Sequence, residues 1–176
     1  MYKDIVNKIN NIISKKYIPF IVILVASIFV SIPLLSRKLN MLYDDGVQHI
    51  CRLMGTFQSI QEGQTFPVIM SNFANGFGYS WNLFYSPITA YAPLIFKILG
   101  FSFTNCIKMF MFLVVFLSGV SMYFFTKKVT KNEMVSTLSA ILYIFAPYRF
   151  TDMYVRNALA ELTSFIFLPI VFLRNI

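Results

Sequence analysis

The sequence predicts an all-α, polytopic membrane protein with about four transmembrane helices and a helical first extracytoplasmic loop. Composition is the first observation: 57% of the 176 residues are hydrophobic and 12% are charged. A soluble domain carries roughly 25% charged residues. Mean hydropathy is accordingly positive, at +0.68. Patterning is the second observation, because uncharged runs recur at lengths that suit a bilayer. The third is where the basic residues fall. Lys3, Lys8, Lys15 and Lys16 precede the first apolar run, and Lys127, Lys128 and Lys131 follow a later one. The net charge of +8 therefore reads as the positive-inside rule. With no recognition motif present, the expected partner is membrane lipid and no nucleic acid.

Residues 1–16 are polar and basic, with Ile5, Ile9, Ile12 and Ile13 at helical spacing. They predict a cytoplasmic amphipathic N-terminus lying on the membrane surface. Residues 17–35 carry no charge and, at a rise of 1.5 Å per residue, reach roughly 28 Å, enough for one crossing. This run is too long for a signal peptide and no small-residue cleavage site follows it. Pro19 falls in its first turn, where a missing N–H costs little. Four lysines before the run, against Arg37 and Lys38 after it, predict an N-terminus on the cytoplasmic side.

Residues 36–102 predict an outer loop with amphipathic and re-entrant helices. Gly46 to Ile60 is helical, with an apolar stripe of Val47, Ile50, Met54, Phe57 and Ile60 opposed by Gln48, His49, Arg52, Thr56 and Ser59. Glu62-Gly63 ends it. Residues 88–99 are apolar but short and are interrupted by prolines, so they are expected to be interfacial or re-entrant rather than spanning. Residues 103–126 form a second crossing, and KKVTK marks its cytoplasmic end. Residues 134–148 return outward, tilted or in a thin bilayer, and 158–174 start back inward. The last run is short, so the chain is expected to be the N-terminal part of a longer protein or a truncated gene. From 17 to 176 we expect a single membrane domain. Cys51 and Cys106 lack CxxC spacing and a partner histidine; a pair of buried thiols is expected in preference to a disulfide, and a zinc site is not expected.

Three stretches carry candidate chemistry. In YDDGVQHI, Asp45-x-x-Gln48 matches a capping box, and an acidic pair at a helix N-terminus meets the positive end of its dipole. Asp44 has no such local duty. The functional reading makes Asp44, supported by Asp45, a general base at the membrane surface. A second reading makes the pair ligands of a divalent cation, Mg or Mn, that offsets a phosphate leaving group. His49 and Arg52 fall at i+4 and i+7 from Asp45, on one helix face, as candidate substrate-binding residues; a solvated interfacial histidine is the plainer alternative. In YRFTDMYVRNALAE, a helix would align Arg149, Asp152 and Arg156. The two arginines could clamp a phosphate, or Arg149 could pair with Asp152 at a snorkelling interface. Glu161 is expected to face the bundle or its mouth. NFANGFGYSWNLFYSP suits either a sugar or an interfacial aromatic belt.

The strings DGxxH, NFxNGFGY, FAPYR and YVRxALAE, across about residues 39–172, resemble a bacterial multipass family named 6-pyruvoyl-tetrahydropterin synthase-related membrane proteins. The single histidine cannot supply the three ligands of a soluble pterin-synthase zinc site. The family is similar in architecture to the GT-C glycosyltransferases, which use polyprenyl-phosphate sugars and keep an acidic residue in the first outer loop. Asp44 and Asp45 occupy that place. The resemblance implies sugar transfer from a polyprenyl-phosphate donor, with Arg149 and Arg156 matched only by character as phosphate ligands. GT-C enzymes have many more helices, so this length alone implies little activity. The rival expectation is a non-catalytic multipass protein: a remnant, a scaffold or a transport component.

Overall fold

The structure is a computed structural model that describes residues 17–35 and 44–174. The expected amphipathic N-terminus 1–16, and Arg37 and Lys38, lie outside the described residues. The elements are α1 (Ile18–Ser31), extended by a 3-10 turn over Ile32–Leu35, then α2 (Gly46–Gln61), α3 (Trp81–Phe84) and α4 (Ile88–Ile98). They continue with α5 (Phe103–Thr130), α6 (Glu133–Ile144), α7 (Pro147–Phe150), which runs into a π turn over Thr151–Val155, and α8 (Leu159–Arg174). The described residues are all-α: they contain no strand, only an isolated bridge between Met70 and Tyr79. Two helical stretches, Ile18–Leu35 and Phe103–Thr130, are long and apolar enough to cross a bilayer, with mean hydropathies of 2.7 and 2.0.

The chain divides into two compact units. Among the described residues the first gathers 17–35, 112–150 and 163–174. Within it α1 turns its small and polar positions inward: Ser27 and Ser31 are buried beside Ile23 and Val30, while Ile21, Val25, Ile28 and Phe29 are exposed. The buried Ser27 hydroxyl donates to Ile23 O at 2.8 Å, so it leaves no donor stranded. Gly119 of α5 lets three helices meet closely. A Cβ there would sit 2.5 Å from Ile144 Cδ1 of α6 and 3.0 Å from Ile23 Cγ2 of α1. Asn132 caps α6, its Oδ1 accepting from the N–H groups of Met134 at 3.0 Å and Val135 at 3.2 Å. At the same end, Glu133 accepts from Tyr123 and pairs with Lys127 at 2.6 Å.

The second unit gathers described residues 44–111 and 151–162. Its main pairing sets α2 against α4. Gly55 is required on α2, because a Cβ there would collide with the Phe73 ring. α4 keeps Pro93 inside an 11-residue helix, too short to cross a bilayer as a single helix.

Several expectations need correcting. The helix expected over 134–148 ends at Ile144, where Phe145 and Ala146 precede the proline that opens α7. α5 continues past the expected limit at 126, through KKVT to Thr130. YRFTDMYVR is not one α-helix, so Arg149, Asp152 and Arg156 do not share a helical face. A four-residue α-turn gives way to the π turn, and Asn157 then adopts φ 53 before α8 begins. Cys51 is exposed, and only Cys106 is the buried thiol expected; both are free.

Candidate functional site

α2 is inverted with respect to a water-soluble amphipathic helix. Its buried residues are Gly46, His49, Arg52, Leu53, Gly55, Thr56 and Ser59. The apolar residues Val47, Met54 and Ile60 are 41%, 47% and 38% exposed. The polar stripe read in the sequence, apart from exposed Gln48, is thus the inner face. A charged side chain taken out of water costs several kcal/mol unless partners replace its hydration, so the surroundings of Arg52 define the site.

Arg52 is 3% exposed. Its guanidinium carbon lies 4.2 Å from the centre of the Trp81 ring and 3.8 Å from that of Tyr85. Both rings come from the segment around α3, four residues apart, and cation–π attraction holds the guanidinium against them. Nε and Nη1 have no hydrogen-bond partner. Burial lowers the guanidinium from its ordinary pKa, opposed by Tyr85, Asp45 and Tyr79. His49 is 4% exposed, with its ring centre 5.5 Å from that of Tyr85. Burial first, and Arg52 second, lower its pKa from 6.5 to about 4, against a hydrogen bond to the Asn157 backbone. His49 is therefore a neutral imidazole at physiological pH, and its Nε2 is unpartnered. The plainer reading of a solvated histidine does not hold. Thr56 Oγ1 and Trp81 Nε1 are also buried without partners.

Asp45 stands at the N-cap of α2, as expected, but its side chain makes no capping bond. The capping box is present in sequence and unformed in structure. Its backbone N–H instead donates to Arg156 O at 3.3 Å, while its carboxylate acts on Arg52 from a distance. Asp44 is exposed and left-handed, at φ 42, a region that aspartate tolerates better than most residues. Among the described residues no group of three His, Cys, Asp or Glu could hold a metal ion. Among the described residues the Asp44–Asp45 pair has no third such ligand beside it.

The remaining arginines have duties of their own. Arg156 Nη1 donates to Asp152 Oδ1 at 3.0 Å and to Glu161 Oε2 at 2.7 Å, and Nη2 donates to Glu161 Oε1 at 3.1 Å. Arg149 belongs to the first unit and is fully buried there. Its Nη1 donates to Ser118 Oγ at 2.6 Å, and its guanidinium lies over Tyr143 and Phe165, at 5.1 and 4.5 Å. The structure thus brings Asp45, His49, Arg52 and the Arg156 backbone together in one unit and gives Arg149 separate partners. The sequence leaves Trp81 and Tyr85 between a sugar-stacking loop and an interfacial aromatic belt, and neither reading pairs them with Arg52. The signal that finds them is their i, i+4 spacing with no charge of their own, opposite a helix face that carries a cation and a histidine.

No protein-family model matches this chain, and no solved structure matches it. A protein of Lactococcus lactis subsp. cremoris, described as uncharacterized, is 25% identical over 157 residues, which cover 87% of this chain and 25% of that protein. The chain spans about a quarter of the length of the relative it matches.

Proposed function

We propose that this chain is the N-terminal part of a GT-C-like glycosyltransferase that uses a polyprenyl-phosphate-linked sugar at the outer face of the bacterial cytoplasmic membrane. The observation that carries the reading is the buried Arg52 guanidinium, held on two aromatic rings with two nitrogens unpartnered. An enclosed cation calls for an anion, and the phosphate of a lipid-linked sugar supplies one. The inverted α2 agrees with this reading, since an exposed apolar face and a buried polar one suit a unit that receives an amphiphilic donor beside lipid. Neutral His49 adds a hydrogen-bonding wall. Exposed Asp44 is the base: it takes the proton of the acceptor hydroxyl as that oxygen bonds to the anomeric carbon, and the polyprenyl phosphate leaves with the electrons of the broken bond. In this reading α1, α5, α6 with α7, and α8 are the four crossing segments.

The experiment measures sugar transfer from a polyprenyl-phosphate donor by membranes carrying the full-length gene product. Asp44→Asn is expected to lower turnover about 100-fold or more, as loss of a general base does. Arg52→Gln is expected to raise KM for the lipid donor. Undiminished turnover in an Asp44→Asn, Asp45→Asn double variant removes the catalytic role and leaves the non-catalytic multipass reading.

A further inference from the structure

Residues 63–96 of the second unit carry no acidic or basic side chain and no histidine. Three contacts tie the irregular part of this run into one platform. Met70 and Tyr79 exchange backbone hydrogen bonds at 3.0 and 3.2 Å. Asn82 Nδ2 donates to Pro67 O at 2.9 Å. The Phe66 ring stacks on that of Tyr91, with centres 5.9 Å apart and planes 2° from parallel. A Cβ on Gly78 would meet Ile69 Cγ2 at 2.5 Å, so Ile69 lies beside the residue that follows Phe77. The platform sorts its apolar side chains. Around α3, Trp81 and Tyr85 turn towards Arg52. Leu83 and Phe84, on the same turn, face away, and Phe84 is 81% exposed. Phe77 is 92% exposed, and Phe66 and Ile69 are more than half exposed. Single exposed apolar residues are ordinary, but a group of them with no charge among them marks a contact surface.

The setting of the platform says what covers it. The second unit also holds residues 103–111, the start of α5, and α5 is long and apolar enough to cross a bilayer. Lys97, the first charge after the run, donates to Phe101 O at 3.3 Å and lies 4.5 Å from the centre of the Phe103 ring. A lysine that lays its stem on apolar surface in this way suits the edge of a membrane. α2 of the same unit likewise turns apolar residues outward and polar ones inward. Inside hydrocarbon only helices and closed barrels satisfy their backbone groups, so an irregular segment reaches the headgroup layer and no deeper; aromatic rings concentrate at that level.

We propose that Phe66, Ile69, Phe77, Leu83 and Phe84 form a membrane-anchoring surface that seats in the boundary between the acyl chains and the headgroups of the bilayer. Removing their apolar area from water drives the seating, and the absence of charge spares it a desolvation cost. Because Leu83 and Phe84 share one turn with Trp81, anchoring also fixes the depth of Arg52 at the headgroup layer. The inference rests on α5 as a crossing helix and is independent of the proposed glycosyl transfer.

Spin labelling of the full-length gene product in liposomes of phosphatidylcholine and phosphatidylglycerol tests it. Nitroxides are attached through Phe77→Cys and Phe84→Cys, one at a time in a cysteine-free background. Glu62→Cys, exposed at the end of α2, is the water-facing reference. Power saturation compares relaxation by oxygen, which partitions into lipid, with relaxation by a water-soluble nickel chelate. At Phe77 and Phe84 the oxygen-to-chelate ratio is expected to be several-fold higher than at Glu62. Equal ratios at all three positions overturn the proposal, because the surface then faces water. Protection of the two phenylalanine positions from both reagents overturns it too, because protein then covers the surface. Should either variant fail to fold, Leu83→Cys or Ile69→Cys carries the same expectation.

Discussion

His49 and Asp152 respond to pH with opposite sign, and each effect follows from a single buried side chain. His49 titrates near 4 when folded, against 6.5 as its ordinary value. The unfolded chain therefore binds the extra proton between those values, and stability is lost as pH falls from 6.5 towards 4. At about 1.4 kcal/mol per pH unit, the loss is roughly 3 kcal/mol at most. We expect the denaturation midpoint to fall across that window and His49→Gln to flatten the slope; an unchanged slope in the variant excludes His49 as its source. Asp152 works the other way, because its folded pKa is raised. Its contribution is complete below the unfolded value and is lost as pH rises through the folded one.

Among the elements, α5 makes a close helix contact in the first unit. Gly119 faces Ile23 and Ile144 at distances that leave no room for a side chain. Gly119→Leu must push both neighbours apart, and overpacking of this kind costs about 1–3 kcal/mol. A thermal melt in detergent should show that loss, whereas Gly100→Ala is expected to cost only backbone strain, since open space surrounds Gly100 at φ 90. On α2 the helix limits followed from sequence, but which face turned inward did not. Val47, Met54 and Ile60 form a regular stripe at helical spacing, and the pattern is the same whether lipid or a protein core receives it. Periodicity locates the faces of a helix; the surrounding solvent decides which one is buried.

At the scale of the whole molecule, the candidate spans and α4 make a topological prediction. If α4 is interfacial or re-entrant, both of its ends lie on one side of the membrane. Single cysteines placed at Ser86 and at Gly100, in a background with Cys51 and Cys106 replaced by serine, should both react with an impermeant thiol reagent from outside. Reaction of only one of them means that α4 crosses, and it reverses the side assigned to KKVTK. The chain spans about a quarter of the relative it matches; in the proposed reading further segments complete the site, so the transfer assay uses the full-length gene product.

Composition, charge placement and run length by themselves determined an all-α chain and, of the roughly four crossings they led us to expect, the two stretches that are long and apolar enough as helices to cross a bilayer, because hydration cost and helix length act on local sequence alone. They also placed α2 to within a residue or two and put Asp45 at its N-cap. Only the tertiary structure decided which polar groups act together. It seated Arg52 on Trp81 and Tyr85, residues distant in sequence, and left the Asp45 cap unformed while its N–H met Arg156 O. It broke YRFTDMYVR into a short turn, a π turn and a left-handed Asn157, so that Arg149 and Arg156 found separate partners. The physical reason is that a buried charge is satisfied by whatever the folded chain brings to it, and residue spacing does not encode that meeting.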